Sequence, residues 1–389
     1  MKQDDFIPYG RQSIDEEDIR AVVSVLKSDW LTQGPAVEQF EKEFAAYCGA
    51  RHAVAVSSGT AALHLAAIAA GFAQGDQVIT TPITFVATAN SIVYTGAEPV
   101  FVDVEPETAC IDAGLIRQNI SGSTRGIIPV HFAGQPCDME TIYSIANEND
   151  LVIIEDAAHA MGAEYRVKRR WYRVGACAHS DMTIFSLHPV KHIAAGEGGV
   201  ITTNRESLAE QLRMLRSHGI TRDVSRMSSN HGPWWYEMQS LGYNYRLTDI
   251  QSALAKSQLK KLDNFVTRRR KIARMYDEAF SQEPMIAPLV QKPGTRSSFH
   301  IYVLLCRRLD RKEFFQRLRT RDIGVNVHYI PIYQQPYYRR RYSVLPDNFP
   351  CSESYYNNAI TIPLYPSMSD MQVKKVIDIV LSAVRDMVS

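Results

Sequence analysis

Residues 183–202 read TIFSLHPVKHIAAGEGGVIT. Two short apolar runs, at 183–186 and 199–202, predict strands on either side of a turn that contains Pro189, Lys191 and a cluster of glycines. The glycines allow close packing of the backbone. A lysine on a turn at the edge of a sheet can be desolvated, and its amine can then form a Schiff base with an aldehyde. Taken alone, the stretch is better explained by a surface lysine before a glycine turn.

Apolar runs of the same kind recur before this stretch and alternate with helical patterns. Helices are predicted from Thr60 and from Thr84, after two amphipathic helices at 15–27 and 37–47. Five further strands are predicted at 53–56, 77–80, 99–102, 126–130 and 151–154. Short apolar strands between helices indicate an α/β fold, in which a mainly parallel sheet is covered by helices on both faces.

The pattern changes after about Thr248. A helix near 250–270 is predicted to lead to strands at 300–305 and 325–328, and a last helix to occupy 370–387. A chain of 389 residues also exceeds one ordinary hydrophobic core. We therefore predict a large domain over residues 1–248, including an N-terminal segment, and a smaller α+β domain over residues 249–389.

Composition excludes several classes of function. The formal net charge is +1, which gives no electrostatic footprint for nucleic acid or an acidic membrane surface. No apolar run approaches the roughly 18 residues of a spanning helix, and the first residues lack the apolar stretch of a signal peptide. The six cysteines show no C-x-x-C spacing. We expect a soluble, cytoplasmic protein without a metal site and without nucleic-acid or membrane partners.

A candidate phosphate site lies between the strand at 53–56 and an alanine-rich helix. Small residues at a helix N-terminus expose backbone N–H groups, and the helix dipole favours an anion there. The hydroxyl of Ser186 would add a donor. The candidates on the helix are Ser58, Gly59, Thr60 and Ala61. An ordinary serine N-cap explains the same residues, and neither a P-loop nor a GxGxxG motif is present.

Two further segments could contact a flat ligand. Asp156 follows the buried strand at 151–154, where a carboxylate points into the crevice of an open α/β sheet. Opposite a pyridine ring, Asp156 would keep the ring nitrogen protonated, and His159 could bond a phenolic oxygen. Phe85, within 81–90, could stack on the ring. The alternatives are helix capping by Glu155 and Asp156 and a core role for Phe85.

Each alternative is reasonable alone, but together the segments supply a phosphate site, an aromatic lid, a pyridine partner and a lysine, in that order. These residues resemble the sugar aminotransferases of the DegT/DnrJ/EryC1/StrS family. The resemblance covers nearly the whole chain and implies the aspartate-aminotransferase fold (fold type I), with a mixed, mainly parallel seven-stranded sheet. It also implies pyridoxal 5'-phosphate (PLP) as the cofactor.

The resemblance assigns roles residue by residue. Lys191 would form the Schiff base, and Asp156 would bind the pyridine nitrogen. Phe85 would stack on the ring, and Ser186 with the turn at 58–61 would bind the phosphate. Many members carry glutamine where this chain has His159, which can make the same contact to the phenolic oxygen. Asn244 would reach the phosphate of a neighbouring subunit, which implies a homodimer with shared active sites.

Some segments narrow the resemblance within the family. Residues 81–90, 217–220 and 327–333, with the pair Ala158-His159, are similar to transaminases of pseudaminic acid biosynthesis. The implied substrates are a UDP-linked 2-acetamido-2,6-dideoxy-4-hexulose, aminated at C4, and L-glutamate as the amino donor. The alternatives are another UDP- or dTDP-linked 3- or 4-keto sugar and a non-sugar PLP enzyme of the same fold.

Three residues are candidates for substrate contacts. His328 and Tyr333 could bind the sugar, although their polarity could equally be structural. Arg246 could pair with the diphosphate, because its planar fork suits phosphate oxygens.

Among rival activities, sugar dehydration is disfavoured because dehydratases of the family carry histidine in place of the lysine. A sensor role is disfavoured by the intact set of lysine, aspartate and serine. An amino-acid aminotransferase would need an arginine for the α-carboxylate, and the sequence does not place one.

Overall fold

The computed structural model describes residues 6–388 and contains one large sheet with three small ones. The strands, in chain order, are β1 (His52–Val56), β2 (Gln77–Thr80), β3 (Glu98–Phe101), β4 (Thr124–Ile128), β5 (Val152–Asp156), β6 (Glu164–Val167), β7 (Arg170–Arg173), β8 (Met182–Ser186), β9 (Gly199–Thr203), β10 (Ile220–Thr221), β11 (Glu237–Met238), β12 (Ile286–Pro288), β13 (Thr295–Arg296), β14 (Tyr302–Cys306) and β15 (Ala359–Ile362).

The helices alternate with the strands of the large sheet and then dominate the C-terminal part. They are α1 (Glu16–Leu26), α2 (Pro35–Cys48), α3 (Gly59–Ala69), α4 (Val86–Tyr94), α5 (Met139–Glu148), α6 (Glu206–Leu215), α7 (Asp249–Leu259), α8 (Leu262–Phe280), α9 (Arg311–Arg319), α10 (Pro336–Arg341), α11 (Pro350–Asn358) and α12 (Asp370–Val388). Among the helices of residues 6–388, none is long and apolar enough to cross a membrane.

The large sheet has seven strands in the order β1-β9-β8-β5-β4-β2-β3. Within it β9 alone runs antiparallel to its neighbours, β1 and β8, while the remaining pairs are parallel. The predicted α/β fold with a mixed, mainly parallel sheet is therefore confirmed. Because the carboxyl ends of the parallel strands meet at one edge, the segments that follow them are brought together there.

Two close backbone contacts fix how this edge is built. A Cβ added to Gly199, the first residue of β9, would collide with the carbonyl oxygen of Ser58. A Cβ added to Gly59 would lie 2.9 Å from the Cβ of Ser186. The turn that begins α3 is thus pressed against the end of β8 and the start of β9. Only glycine permits this approach at both positions.

The alanine-rich helix α3 lies flat against the sheet. Its small side chains, including Ala62, Ala66 and Ala67, are buried against the apolar residues of β8 and β9. Ser58 caps the helix, because its Oγ accepts a hydrogen bond from the amide of Ala61 at 3.0 Å. This packing places the N-terminus of α3 at the edge of the sheet where β5 and β8 end.

One of the three small sheets, with the strand order β12-β14-β15, belongs to the C-terminal part of the chain. It packs with α8, α9 and α12 around a second hydrophobic core. Ile7 belongs to this core and pairs with Ile323. The predicted start of the small domain falls at α7, but α7 packs against α1 and α2 of the large domain. Apart from Ile7, the first residue of the second core is Ile272, in α8. The boundary at 248/249 stays a prediction.

Three predicted elements differ from the structure. The helix expected over 250–270 is two helices, α7 and α8, because α7 is buried against α1 and α2 while the C-terminal half of α8 is buried in the small domain. The strand expected over 300–305 begins only at Tyr302, since the amide of His300 bonds Ala133 instead. The strand expected over 325–328 is a single bridge at Asn326, whose side chain bonds the amide of Val327.

The contact at Gly199 can be tested by Gly199→Ala. The added methyl meets a backbone carbonyl that cannot move aside alone, so we expect the free energy of unfolding to fall by about 1–3 kcal/mol. Urea unfolding of the cofactor-free protein measures the change. Gly122→Ala is the control, because its added Cβ would have no neighbour within 4 Å. Equal stability of the two variants would contradict the close packing described here.

Candidate active site

A cleft of about 530 Å³ lies between the carboxyl ends of the parallel strands and the small domain. Predicted site residues from four segments of the large domain line it, together with His328 from the small domain. The lining residues from the large domain are Ser58, Gly59, Thr60, Phe85, Asp156, His159, Ser186 and Lys191. The fold therefore brings together segments that are more than 100 residues apart in sequence.

Lys191 lies on the loop between β8 and β9. This loop is closed by a backbone hydrogen bond from Leu187 to the carbonyl of Gly198, at 2.8 Å, and the amide of Lys191 donates to His188. Burial lowers the pKa of the Lys191 amine to about 8, although the carboxylate of Asp156 opposes the shift. A lysine with this pKa holds a useful fraction of neutral, nucleophilic amine near neutral pH.

Asp156, the last residue of β5, is 4% exposed. Its Oδ2 accepts a hydrogen bond from Thr88 at 2.7 Å, and its Oδ1 accepts one from the amide of Ala158 at 3.1 Å. Burial raises the pKa of the Asp156 carboxyl, while these hydrogen bonds and Lys191 act against the rise. The carboxylate is thus held in one orientation, ready to pair with a buried cationic group.

His159 adds a ring near this carboxylate. Its Nε2 lies 3.1 Å from the hydroxyl of Tyr329, and its Nδ1 has no hydrogen-bond partner among residues 6–388. Burial, and next the charge of Lys191, hold the pKa of His159 well below its usual range. A buried polar atom without a partner is costly, so Nδ1 of His159 is a ready contact for a polar ligand atom.

An anion site lies at the N-terminus of α3. The amides of Gly59 and Thr60 belong to the first turn of the helix, where no intrahelical acceptor exists for them. Because Gly59 has no side chain, the Ser186 hydroxyl approaches this turn: an added Cβ would lie 3.2 Å from the Oγ of Ser186. Ala61 differs from the prediction, since its amide already donates to Ser58 and it does not line the cleft.

Phe85 is the N-cap residue of α4 and is 56% exposed at the mouth of the cleft. Its ring centroid lies 6.0 Å from that of Tyr329. An exposed aromatic side chain at the mouth of a cleft leaves one ring face open for stacking on a flat group.

Besides Ala61, three of the predicted residues do not line this cleft. Asn244 is exposed, and Arg246 is partly exposed beside β1, where its backbone pairs with Val56. Tyr333 is 1% exposed and donates its hydroxyl to Glu353 at 2.7 Å. The prediction that Tyr333 contacts the substrate therefore has no support in the structure, because the side chain is buried in a separate apolar cluster.

His328 is the predicted substrate residue that does line the cleft. Its Nδ1 lies 2.8 Å from the hydroxyl of Thr361. Burial, followed by the charge of Lys191, lowers the pKa of His328 to about 4. The ring is therefore neutral at physiological pH and can exchange hydrogen bonds with hydroxyl groups.

The prediction missed Thr88, Tyr329 and His300, all of which line the cleft. Thr88 had a local signal, because it follows Thr84 by one helical turn and their hydroxyls lie 2.7 Å apart. His300 is 109 residues from Lys191 in sequence, and only the packing of the two domains reveals their contact.

The cleft has the features of a PLP-dependent aminotransferase of fold type I, and comparisons with known proteins agree. Residues 12–381 match the model of the DegT/DnrJ/EryC1/StrS aminotransferase family, so the chain belongs to that family. Its enzymes depend on PLP. The anion site at α3, the unpartnered nitrogen of His159 and the fixed carboxylate of Asp156 fit the phosphate, phenolic oxygen and pyridine nitrogen of that cofactor.

Individual relatives cover the chain almost completely. The spore coat polysaccharide biosynthesis protein SpsC of Bacillus subtilis is 43% identical over 100% of this chain and 98% of its own length. Helicobacter pylori PseC, an aminotransferase of pseudaminic acid biosynthesis, is 31% identical over 98% of this chain and 100% of its own, with a TM-score of 0.90. A Streptococcus pneumoniae protein described as a sugar aminotransferase is 29% identical in its PLP form, over 99% and 100% of the two chains, also with a TM-score of 0.90.

Thr88→Val tests whether the hydrogen bond to Asp156 positions that carboxylate for the cofactor. Valine keeps the shape but removes the donor to a charged group, which costs about 1.5–3 kcal/mol, so we expect PLP to bind roughly 10-fold more weakly or worse. Titration of the cofactor-free protein with PLP, followed by absorbance, measures the dissociation constant. Thr95→Val is the control, because Thr95 caps the C-terminal end of the same helix and its hydroxyl bonds only the backbone of Ile92 and Ala97. Unchanged affinity in Thr88→Val would show that Asp156 does not need this bond.

Proposed function

We propose that this chain transfers the amino group of L-glutamate to C4 of a UDP-linked 2-acetamido-2,6-dideoxy-4-keto-hexose, with Lys191 as the residue that binds PLP covalently. One observation carries the proposal. The amine of Lys191, with its pKa lowered to about 8, lines the same cleft as the carboxylate of Asp156, whose two oxygens are both held by hydrogen bonds.

In this proposal each polar part of PLP has a partner. Ser58–Thr60 and the hydroxyl of Ser186 would hold the phosphate. Asp156 pairs with the pyridine nitrogen, and Nδ1 of His159 contacts the phenolic oxygen. Phe85 covers one face of the ring. The family membership supports this arrangement, and all of these residues line the same cleft.

When bound, PLP supplies an aldehyde that condenses with amines and a pyridine ring that withdraws electrons from the reacting carbon. Lys191 becomes a free amine when L-glutamate takes its place. Its Nζ would take the proton from the α-carbon of glutamate and pass it on to the cofactor, which would keep the amino group while the carbon skeleton leaves as 2-oxoglutarate after hydrolysis. In the second half-reaction Nζ delivers a proton to C4 of the sugar. Throughout, the carboxylate of Asp156 keeps a proton on the ring nitrogen.

A carbohydrate acceptor is supported by the relatives and by two polar residues of the small domain that line the cleft. SpsC is named for polysaccharide biosynthesis, and PseC for pseudaminic acid biosynthesis. Asn326 and His328 line the small-domain side of the cleft and offer hydrogen-bonding groups for sugar hydroxyls. Lys191 itself argues against dehydration, since that activity in the family goes with histidine at this position.

We also propose a homodimer with shared active sites. Among residues 6–388, the lining of the cleft includes no arginine, and three of its four histidines, His159, His300 and His328, are held neutral by burial. A nucleoside diphosphate sugar carries negative charge that this lining does not balance. Arg246 and Asn244 lie outside this cleft. The segment that precedes them in sequence exposes the apolar side chains of Trp234 and Leu241 (70% and 77% exposed), and a second copy of the chain would cover such a surface.

Spectroscopy of the purified protein tests the reaction. With PLP bound, L-glutamate should bleach the visible band, and a UDP-linked 4-keto-6-deoxy-N-acetyl sugar should restore it. The panel also contains UDP-linked 3-keto sugars and dTDP-linked 3- and 4-keto sugars. Restoration by one of these alone would keep the aminotransferase and overturn the proposed substrate. Absence of any band after PLP is added would overturn the whole proposal.

The same assay on Lys191→Ala tests the role of the lysine. Because the variant lacks both the covalent attachment and the proton carrier, we expect turnover to fall by at least about 1,000-fold. Lys42→Ala is the control, since Lys42 is exposed on α2. Normal multiple turnover in Lys191→Ala would rule out the proposed mechanism.

Mixed dimers test whether the sites are shared. Lys191→Ala and Arg246→Ala homodimers should each be strongly impaired. If Arg246 serves the partner's cleft, a heterodimer of the two variants contains one site with both residues intact. Mixing the variants under conditions that allow subunit exchange should therefore restore activity. The activity of each heterodimer should approach that of one native site. No restoration, with heterodimers confirmed by mass spectrometry, would place Arg246 in its own subunit's site or outside both.

A further inference from the structure

Four buried histidines surround Lys191, and one of them faces its amine. His159, His192, His300 and His328 are each 7% exposed or less. Nε2 of His300 lies 3.5 Å from Nζ of Lys191, within hydrogen-bonding distance. The proposed reaction assigns no task to His300, which comes from the small domain and lies two residues before the start of β14.

Each of the other three rings has a hydrogen-bond partner other than Lys191. Nε2 of His159 lies beside the Tyr329 hydroxyl, Nε2 of His192 beside the carbonyl of Ser298, and Nδ1 of His328 beside the Thr361 hydroxyl. The ring of His300 has no partner other than Lys191, since its Nδ1 is unbonded among residues 6–388. Its one polar ring contact is therefore with the reacting nitrogen.

We propose that His300 is a positioning residue for Lys191: its Nε2 accepts a hydrogen bond from Nζ whenever the lysine is released from the cofactor, and so aims the amine at the carbon whose proton it must take up or return. This inference rests on the proposed function of Lys191. His300 orients Lys191 while the lysine is not bound to the cofactor. It does not contact the substrate.

The protonation states agree with an acceptor role. Burial, then the charge of Lys191 and the neighbouring His159, His192 and Arg269, hold the pKa of His300 well below its usual range. The pKa of Lys191 lies higher, at about 8. The proton therefore stays on the lysine, and His300 accepts a hydrogen bond without taking the proton away.

The backbone of His300 is anchored from both domains. Its amide donates to the carbonyl of Ala133 at 2.9 Å. Its carbonyl accepts from Nη1 of Arg269 at 3.0 Å, and the same Nη1 also donates to the carbonyl of Leu364 at 3.0 Å. Arg269 is 1% exposed, so burying this guanidinium is costly unless its bonds are kept. The ring itself packs against His159, with centroids 4.3 Å apart.

Matched variants separate the acceptor from mere packing. His300→Gln keeps an acceptor near the position of Nε2. His300→Asn is polar but too short to reach Nζ, and His300→Phe fills the space without an acceptor. If His300→Phe does not fold, His300→Asn still tests the claim. His179→Phe is the control, because His179 is a partly buried histidine outside the cleft that contacts Tyr165.

The first readout uses the cofactor-free protein. The pH dependence of reductive methylation of Lys191, measured by mass spectrometry, reports the pKa of its amine. The groups around this amine are Asp156, His159, His192, His300 and His328. Without the acceptor the ammonium form is less stable, so the midpoint should fall by about 0.5–1 pH unit in His300→Phe and His300→Asn. His300→Gln should stay close to the native midpoint.

The second readout is the single-turnover reaction of the PLP-loaded protein with L-glutamate. In His300→Phe and His300→Asn the rate should fall about 10- to 100-fold, while KM for glutamate changes little. The effect of α-deuterated glutamate on the rate should grow, because proton transfer becomes slower. His300→Gln should recover most of the rate.

Two results would overturn the inference. Native midpoints and rates in His300→Phe and His300→Asn would show that the contact is not needed. Equal losses in His300→Gln and His300→Phe would show that the shape of the ring matters and the acceptor does not. Both results can be told apart from a failure of the proposed function. That failure would appear as turnover in Lys191→Ala and does not depend on the behaviour of the His300 variants.

Discussion

The active cleft depends on a close approach between two turns. The N-terminus of α3 is pressed against the end of β8 and the start of β9, and Gly59 and Gly199 remove the side chains that would hold the segments apart. This contact places the first-turn amides of α3 beside the hydroxyl of Ser186. It also fixes one end of the loop that carries Lys191, so the anion site and the amine are built by the same piece of packing.

Desolvation then sets the chemistry of the cleft. Burial disfavours charge on the buried titratable groups there, lowering the pKa values of Lys191, His159, His300 and His328 and raising that of Asp156. The opposite charges of Lys191 and Asp156 partly offset this effect for each other. Neutral histidines surround the single amine, so the proton balance of the site rests on Lys191 and Asp156.

The small domain completes the cleft as well as covering it. His300, His328 and Tyr329 all come from this domain, yet they face residues of the large sheet. Arg269 ties the segment at His300 to the carbonyl of Leu364, while the amide of His300 bonds Ala133 of the large domain. The relative position of the two domains is therefore also the geometry of the site, and a shift between them would move the groups around Lys191.

Local sequence determined the class of fold and most of the residues assigned to the cofactor. Apolar runs alternating with helices specify a parallel sheet, and parallel strands must end at one edge, so Asp156, Ser186 and Lys191 could be placed there without coordinates. Tertiary packing decided the rest. Tyr333 looked like a substrate residue but is buried against its own cluster, and the split of the helix over 250–270 follows from two different cores. The contact of His300 with Lys191 joins residues 109 positions apart, and no local pattern encodes a contact that exists only once two domains pack together.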